Sequence, residues 1–210
     1  MGYERTVNSF HLDLLKEIGN IGAGHAATAL SVLLDKQIDM KVPSVKIVSF
    51  DEMMEMAGGA DNVVVSIFLR IEGDAPGSMF FILSLDQAEA FIQSMLRDDQ
   101  FSFEDRNPSE LGMSAMQELG NILSGSYLSS LADFTQLNLQ PSVPSLTMDM
   151  AGAVISFGLI EISQVSDYAI VIDTAIKEVG AGSESVNGHF FLLPDPDSLH
   201  VIFQSLGVKG

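Results

Sequence analysis

The chain has 210 residues, 47% of them hydrophobic, with a formal net charge of −18 and a pI of about 4.2. Such a chain is long and apolar enough to form one large or two small packed domains rather than a disordered segment. The negative charge argues against nucleic acid and anionic membrane surfaces as partners and favours a protein that presents lysines or arginines. Because no cysteine is present, disulfides and thiolate nucleophiles are excluded, and a reducing cytoplasmic location is expected.

The predicted elements follow the same order in both halves of the chain. A long helix opens each half, at about 9–36 and 109–134, and an extended segment follows a Val-Pro-Ser turn, at Val45 to Phe50 and Leu146 to Met150. Short strands come next, at about 62–72 and 77–84, and at about 152–163, 167–176 and 188–193. A short helix closes each half, at about 86–97 and 196–206, with Asp86 and Asp197 as N-caps, and Asp51 to Ala57 form a further helical turn.

One polar pattern occurs twice, and its two copies lie 101 residues apart. The copies consist of Asp13, Glu17 and Asn20, and of Ser114, Glu118 and Asn121. Positions i, i+4 and i+7 share one face of an α-helix, so each copy predicts a polar stripe on a long helix. Neighbouring residues repeat at the same offset, among them Gly19 with Gly120, Gly24 with Gly125, and Pro43 with Pro144.

The repeat predicts the domain organisation. We expect one domain over residues 1–210, made of two homologous halves at about 1–105 and 106–210 and related by a pseudo-twofold axis. Its class is α/β of the α+β type, with a mostly antiparallel sheet and the two long helices on one face. The polar joint between the halves is Arg97 to Pro108, and Gly180 to Gly188 is the expected place for extra residues in the second half.

A helical wheel separates the polar stripe from the apolar side of each long helix. With Asp13 at zero, Glu17 and Asn20 fall within about 40° of it, whereas Leu15, Ile18 and Ile21 fall between about 80° and 220°, on a distinct apolar side. The stripes are therefore expected to face solvent or a partner. A glycine beside each asparagine, costing about 1 kcal/mol in a helix interior, suggests close approach by another group.

A carboxylate and a carboxamide one helical turn apart favour one kind of chemistry. A carboxylate accepts hydrogen bonds or pairs with a lysine, and a carboxamide, which both donates and accepts, can orient a water molecule without acting as a strong base. Phosphoryl hydrolysis needs such positioning more than basicity, because its transition state is loose.

The sequence gives weaker support to other kinds of functional site. The run from Gly22 to Ala27 fits a G-x-G-x-x-A dinucleotide fingerprint, but it follows a helical pattern instead of a strand, and the second copy lacks the first glycine. The four histidines show no ligand spacing, so no metal or cofactor site is expected. The longest apolar stretches have the length of strands, and neither a membrane span nor a signal peptide is expected.

The duplicated pattern Asp/Ser-x-x-x-Glu-x-x-Asn resembles that of the CheC/CheX/FliY group of bacterial chemotaxis phosphatases, over essentially the whole chain. The copies that carry the resemblance are Glu17-Ile-Gly-Asn20 and Glu118-Leu-Gly-Asn121. Two intact copies in a chain of this length make it most similar to the CheC branch.

The resemblance implies a function for these residues. It implies a phosphatase of the phosphorylated response regulator CheY, in which Asn20 and Asn121 orient the attacking water. Glu17 and Glu118 would contact the regulator's active-site lysine, with Asp13 and Ser114 in support at the edge of each site. The Mg²⁺ ion would belong to the regulator, and the receptor deamidase CheD would be a second partner of a monomeric protein. The alternative is a non-enzymatic adaptor that binds CheD or a flagellar-switch protein without turnover.

Overall fold

A computed structural model describes residues 7–98, 100–103, 110–162, 168–179, 186–195 and 197–207. The elements in chain order are α1 (Ser9–Leu34), β1 (Ile38–Lys41), β2 (Val45–Ser49), α2 (Phe50–Met56), β3 (Val63–Gly73), β4 (Gly77–Ser84), α3 (Leu85–Leu96), α4 (Glu110–Thr135), β5 (Leu139–Pro141), β6 (Ser145–Met150), α5 (Ala151–Ile162), β7 (Tyr168–Glu178), β8 (Val186–Pro194) and α6 (Ser198–Ser205). Half of the predicted joint and most of the stretch from Gly180 to Gly188 lie outside the described residues.

The eight described strands pair antiparallel, and the pairing crosses between the halves. The order along the sheet is β1-β7-β8-β4-β3-β5, with β2 also on β7 and β6 also on β3. The first two strands of each half therefore lie against the third strand of the other half. The central pair, β4 and β8, is the place where the predicted pseudo-twofold axis passes. The fold class is confirmed: α/β, with an antiparallel sheet and a repeated element order.

Helices cover both faces of the sheet. The two long helices α1 and α4 pack together on one face with α3 and α6, over alternate strand residues such as Ile67, Phe81 and Phe190. The short helices α2 and α5 cover the other face, over the intervening residues such as Phe80 and Phe191. This alternation is the period-2 pattern of strands that are buried on both sides. The prediction that both long helices lie on one face is confirmed.

The second half contains a helix where a strand was expected. Residues 152–163 were predicted as a strand, but α5 begins at Ala151 and buries Val154 and Ile155 one turn later. The segment is apolar on all sides, so its periodicity does not distinguish a buried helix from a buried strand. The repeat distinguishes helix from strand here, because the residues that lie 101 positions after α2 fall within α5.

Smaller corrections concern strands and caps. β1 and β5 were not predicted, because each has only three or four residues and is mixed in polarity. The N-cap of α3 is Ser84 rather than Asp86, and its hydroxyl accepts a hydrogen bond from the Gln87 backbone NH at 3.3 Å. Asp197 does stand at the N-cap of α6, but its side chain makes no capping hydrogen bond.

Tyr127 joins the second long helix to the sheet, and it yields a prediction on stability at high pH. Its hydroxyl lies 2.9 Å from Thr174 Oγ1, and burial, only partly offset by this bond, raises the pKa of Tyr127 to about 12. The folded state therefore retains a proton that the unfolded state loses near pH 10, and its stabilising effect disappears as the pH rises from about 10 to about 12.

Thermal unfolding between pH 9 and 12 tests this. We expect the melting temperature of Tyr127→Phe to fall less steeply over that interval than that of the parent protein, because Phe has no proton to lose. Parallel curves for the two proteins would show that Tyr127 ionises normally.

Candidate functional site

The six residues of the two polar stripes lie on α1 and α4. All are exposed except Asn20, which is half-buried. In α1 the start is fixed by a capping box, in which Asn8 accepts from the His11 backbone NH and donates its own NH to His11 Nδ1. The predicted outward direction is observed for the five exposed residues, whereas Asn20 is turned partly toward the protein's own main chain. The wheel was wrong about Ile21, which is 40% exposed instead of lying in the core.

The carboxamide of Asn20 is bound to the main chain of its own half. Its Nδ2 donates to the carbonyl of Lys16 at 2.9 Å and to that of Val42 at 3.3 Å. Its Oδ1 accepts from the Val42 backbone NH at 3.0 Å. Both amide hydrogens are thus engaged, and one lone pair of Oδ1 is left for another donor. Asn20 fastens the loop between β1 and β2 to α1.

The glycine beside Asn20 permits this attachment. A Cβ on Gly19 would stand 3.3 Å from Cγ2 of Val42, which is itself 1% exposed. In the second half, a Cβ on Gly120 would stand 2.7 Å from Cγ2 of Ile67 on β3. The close approach that the two Gly-Asn pairs suggested is therefore made by the protein's own sheet and loop, and not by a partner.

The second stripe is built differently. Asn121 is exposed, and its side chain makes no hydrogen bond within the part of the chain that the structure describes. In the second half, the loop between β5 and β6 corresponds to the loop that contains Val42. It is held by Gln117, whose Nε2 donates to the Pro144 carbonyl at 3.3 Å. Val143, at the position that matches Val42, is 83% exposed. The carboxamide of Asn121 is therefore free to bind water, whereas that of Asn20 has only one lone pair of Oδ1 left for it.

The two glutamates present unpaired carboxylates. Glu17 and Glu118 are exposed and form no ion pair among the described residues. Asp13 and Ser114 stand one turn before them, also exposed. Each stripe thus offers an acceptor for a cation next to a carboxamide, with a second polar group at the edge.

The run that resembles a dinucleotide fingerprint lies wholly within α1. Phosphate binding by that motif requires a turn between a strand and a helix, whereas Gly22 stands in the middle of a helix. A Cβ on Gly22 would meet the Ser126 carbonyl and the Tyr127 Cα at 3.1 Å, so this glycine lets α1 and α4 pack closely. The structure shows no strand-to-helix turn there that could hold a nucleotide.

The face of the sheet opposite the long helices carries a second feature, which sequence reasoning missed. Asp173 accepts from Ser44 Oγ, pairs with His189 Nδ1 at 2.9 Å and lies 3.6 Å from Lys46 Nζ. Burial opposes ionisation there, but the bonds to Ser44 and His189 and the charge of Lys46 outweigh it and lower the pKa of Asp173. A Ser-Asp-His set without a bond between Ser and His is an ion-pair network, and not a catalytic triad.

The pseudo-symmetric position holds a pocket instead of this network. Strand pairing places Phe68 opposite Phe80, as it places Asp173 opposite His189. The pocket has a volume of about 450 Å³, and its lining residues are Ser66, Phe68, Phe80, Ser145, Thr147, Asp149, Ala153 and Val154. The two halves have thus diverged on this face as well as on their long helices. The sequence carries no signal for this difference, because Phe68 and Asp173 lie 105 residues apart and Phe80 and His189 lie 109 apart, rather than the 101 residues that relate the long helices.

Across the described ranges, no three Asp, Glu or His side chains come together in a group that could hold a metal ion. None of the helices in those ranges is both long and apolar enough to cross a membrane.

The fold and the duplicated Glu/Asn stripes define a class of related proteins. Comparisons with known proteins identify this class as the CheC-like proteins. The crystal structure of Thermotoga maritima FliY superposes with a TM-score of 0.72 over 96% of this chain and 98% of that chain, at 19% identity, which supports the fold. The CheC-like family matches twice, at residues 10–47 and 111–148, so each match contains one stripe.

Two curated relatives from Bacillus subtilis narrow the class. "CheY-P phosphatase CheC" is 53% identical over 94% of both chains. "Flagellar motor switch phosphatase FliY" is 27% identical over 65% of this chain and 35% of its own length. The chain belongs to the CheC-like family.

Proposed function

We propose that this protein is a phosphatase that hydrolyses the aspartyl phosphate of the chemotaxis response regulator CheY. The observation that carries the proposal is the pair of exposed Glu/Asn stripes, each of which falls within one of the two family matches. The name of the 53% identical relative supports the substrate. The net charge of −18 favours encounter with a partner whose active site presents a lysine.

In the proposed reaction a water oxygen attacks phosphorus, and the bond between phosphorus and the aspartyl oxygen breaks. The products are inorganic phosphate and the free aspartate carboxylate of the regulator. Asn121, and Asn20 through its remaining lone pair, would hold the water in line with the scissile bond. Because the transition state is loose, such positioning contributes much of the acceleration.

The glutamates would orient the partner. Glu17 and Glu118 would each pair with the regulator's active-site lysine and so seat the helix over the phosphoryl group. Asp13 and Ser114 would contact the rim of that site. The Mg²⁺ ion would be held by the regulator, which would leave this chain to supply positioning alone. Binding of CheD and a monomeric state stay predictions.

The decay of phosphorylated CheY tests the proposal. We expect the parent protein to shorten the lifetime of the phosphoryl group, and Asn20→Ala/Asn121→Ala to lose about a hundredfold in rate, as for the loss of a transition-state hydrogen bond elsewhere. Asn138→Ala, which removes an exposed carboxamide outside both helices, is the matched control and should keep the parent rate.

Two outcomes would contradict the proposal. A double variant with the parent rate would show that the asparagines do not position the water. A parent protein that binds phosphorylated CheY without changing its lifetime would favour the adaptor alternative.

A further inference from the structure

Glycines on the two long helices fall into two groups. The first group is required by the protein's own packing, because an added Cβ would stand 3.3 Å or less from another part of the fold; it consists of Gly19, Gly22, Gly112 and Gly120. Gly24 and Gly125 differ: apart from the adjoining helix backbone, no atom of the described residues lies within 4 Å of an added Cβ at either position. The fold of the isolated chain therefore gives no reason for these two glycines.

Both glycines occupy matching positions in the repeat. They lie 101 residues apart, in helix interiors, where alanine is the better helix former. Gly24 is exposed and Gly125 is half-buried. A helix position with open space beside it that lacks a side chain in both copies, at a cost to helix stability, is explained by something outside the chain that needs the space. Close approach of another backbone is a general use of glycine.

The two glycines continue the polar stripes. Gly24 follows Asn20 by four residues, so it stands about 6 Å further along the helix and only about 40° around it. Gly125 stands in the same relation to Asn121. A partner that contacts the carboxamide therefore also covers the glycine.

The other end of each stripe shows a second feature that indicates a partner. Phe10 and Leu111 also match at the 101-residue offset, and they are 60% and 65% exposed. Each stands three residues before Asp13 or Ser114, which is one helical turn. A single exposed apolar side chain is common on protein surfaces, but these two occupy equivalent positions beside the two polar stripes, where a partner that covers the stripe would also contact them. Each stripe thus begins at an apolar residue, continues through three polar residues and ends at a glycine, where the helix backbone has no side chain.

We propose that Gly24 and Gly125 are specificity-determining positions, at which the phosphorylated regulator approaches the helix backbone too closely for a side chain. This inference rests on the proposed function, because the occupant is the same receiver domain whose phosphoryl group lies over the asparagine. The bare helix surface lets the regulator settle until its phosphoryl group is within reach of the bound water. The apolar residue at the opposite end holds the other edge of the regulator.

Alanine at these positions separates stability from activity. We expect Gly24→Ala/Gly125→Ala to raise the melting temperature by roughly 4–8 °C, because two helical glycines, each costing about 1 kcal/mol, are replaced without any clash. We expect KM for phosphorylated CheY to rise roughly tenfold, as for one misfitting methyl group in a complementary site. Leucine at both positions should raise KM further, which grades the effect by side-chain size.

A matched control lies on the same helix. Ala29→Gln enlarges an exposed residue that is turned about 140° away from Gly24 around the axis, and it should leave KM unchanged. Unchanged KM in both the alanine and the leucine variants would overturn the inference, provided that the parent protein is active. A parent protein without activity on phosphorylated CheY would instead contradict the proposed function, so the two failures are distinguishable.

Discussion

Asn121→Ala is expected to remove most of the phosphatase activity while leaving the fold intact, and Asn20→Ala is expected to do nearly the reverse. Asn121 has a free, exposed carboxamide, so its loss removes a water ligand and no internal bond. Alanine is also the better helix former, so the melting temperature should stay the same or rise slightly.

Asn20→Ala breaks three hydrogen bonds and leaves the backbone groups of Val42 without their partner. Val42 itself is buried, so we expect a loss of about 2 kcal/mol in the free energy of unfolding and a fall of about 4–8 °C in melting temperature. Asn20→Asp is a useful companion, because it retains an acceptor for the Val42 NH but loses both donors. Steady-state rates with phosphorylated CheY and calorimetry on the same samples measure both effects. Equal activity losses in the two single variants would show that the carboxamide of Asn20 leaves Val42 when the regulator binds.

Gly120→Ala is expected to destabilise the protein by about 2 kcal/mol, although the change adds only one methyl group. The new Cβ would stand 2.7 Å from Cγ2 and 2.8 Å from Cδ1 of Ile67, in a part of the core where Ile67 is 2% exposed. Overpacking of this kind costs roughly 1–3 kcal/mol. The helix must move away from β3 to relieve the clash, and Asn121 moves with it, so phosphatase activity should fall too.

A second substitution checks the cause of this loss. Ile67→Val removes Cδ1, one of the two atoms in conflict, so Gly120→Ala/Ile67→Val should be more stable than the sum of the single effects predicts. Gly125→Ala, five residues along the same helix, should change stability in the opposite direction. Additive effects of the substitutions at positions 67 and 120 would show that the helix accommodates the methyl group in another way.

The repeat made much of the fold and of the site predictable from sequence. The helical pattern, repeated at an offset of 101 residues, placed the ends of both long helices within two residues of their observed positions and aligned the two stripes. It also correctly set the direction of Glu17 and Glu118, because the helical period separates polar from apolar faces. The same register, applied to residues 152–163, would have corrected the strand prediction for α5, whose uniform apolarity hid its period.

What the sequence could not show depends on contacts between distant segments. The bond from Asn20 to Val42 spans 22 residues and has no counterpart at Asn121, although the residues around the two asparagines are alike. β1 and β5 are too short and too mixed in polarity to be recognised before their partners in the other half are known. The pocket and the Asp173 network are likewise fixed by pairing across strands rather than by local pattern.

The crossed strand pairing bears on how such a chain could arise. Each half supplies two strands that rest on the third strand of the other half, so a lone half would lack partners for these strands. Two copies of a single half could supply the missing pairings by exchanging their first two strands, as in a domain-swapped dimer. Joining the two copies replaces an encounter between molecules with an intramolecular one at high effective concentration. In a joined chain the two copies can change separately, so that Asn20 binds the Val42 backbone while Asn121 is exposed.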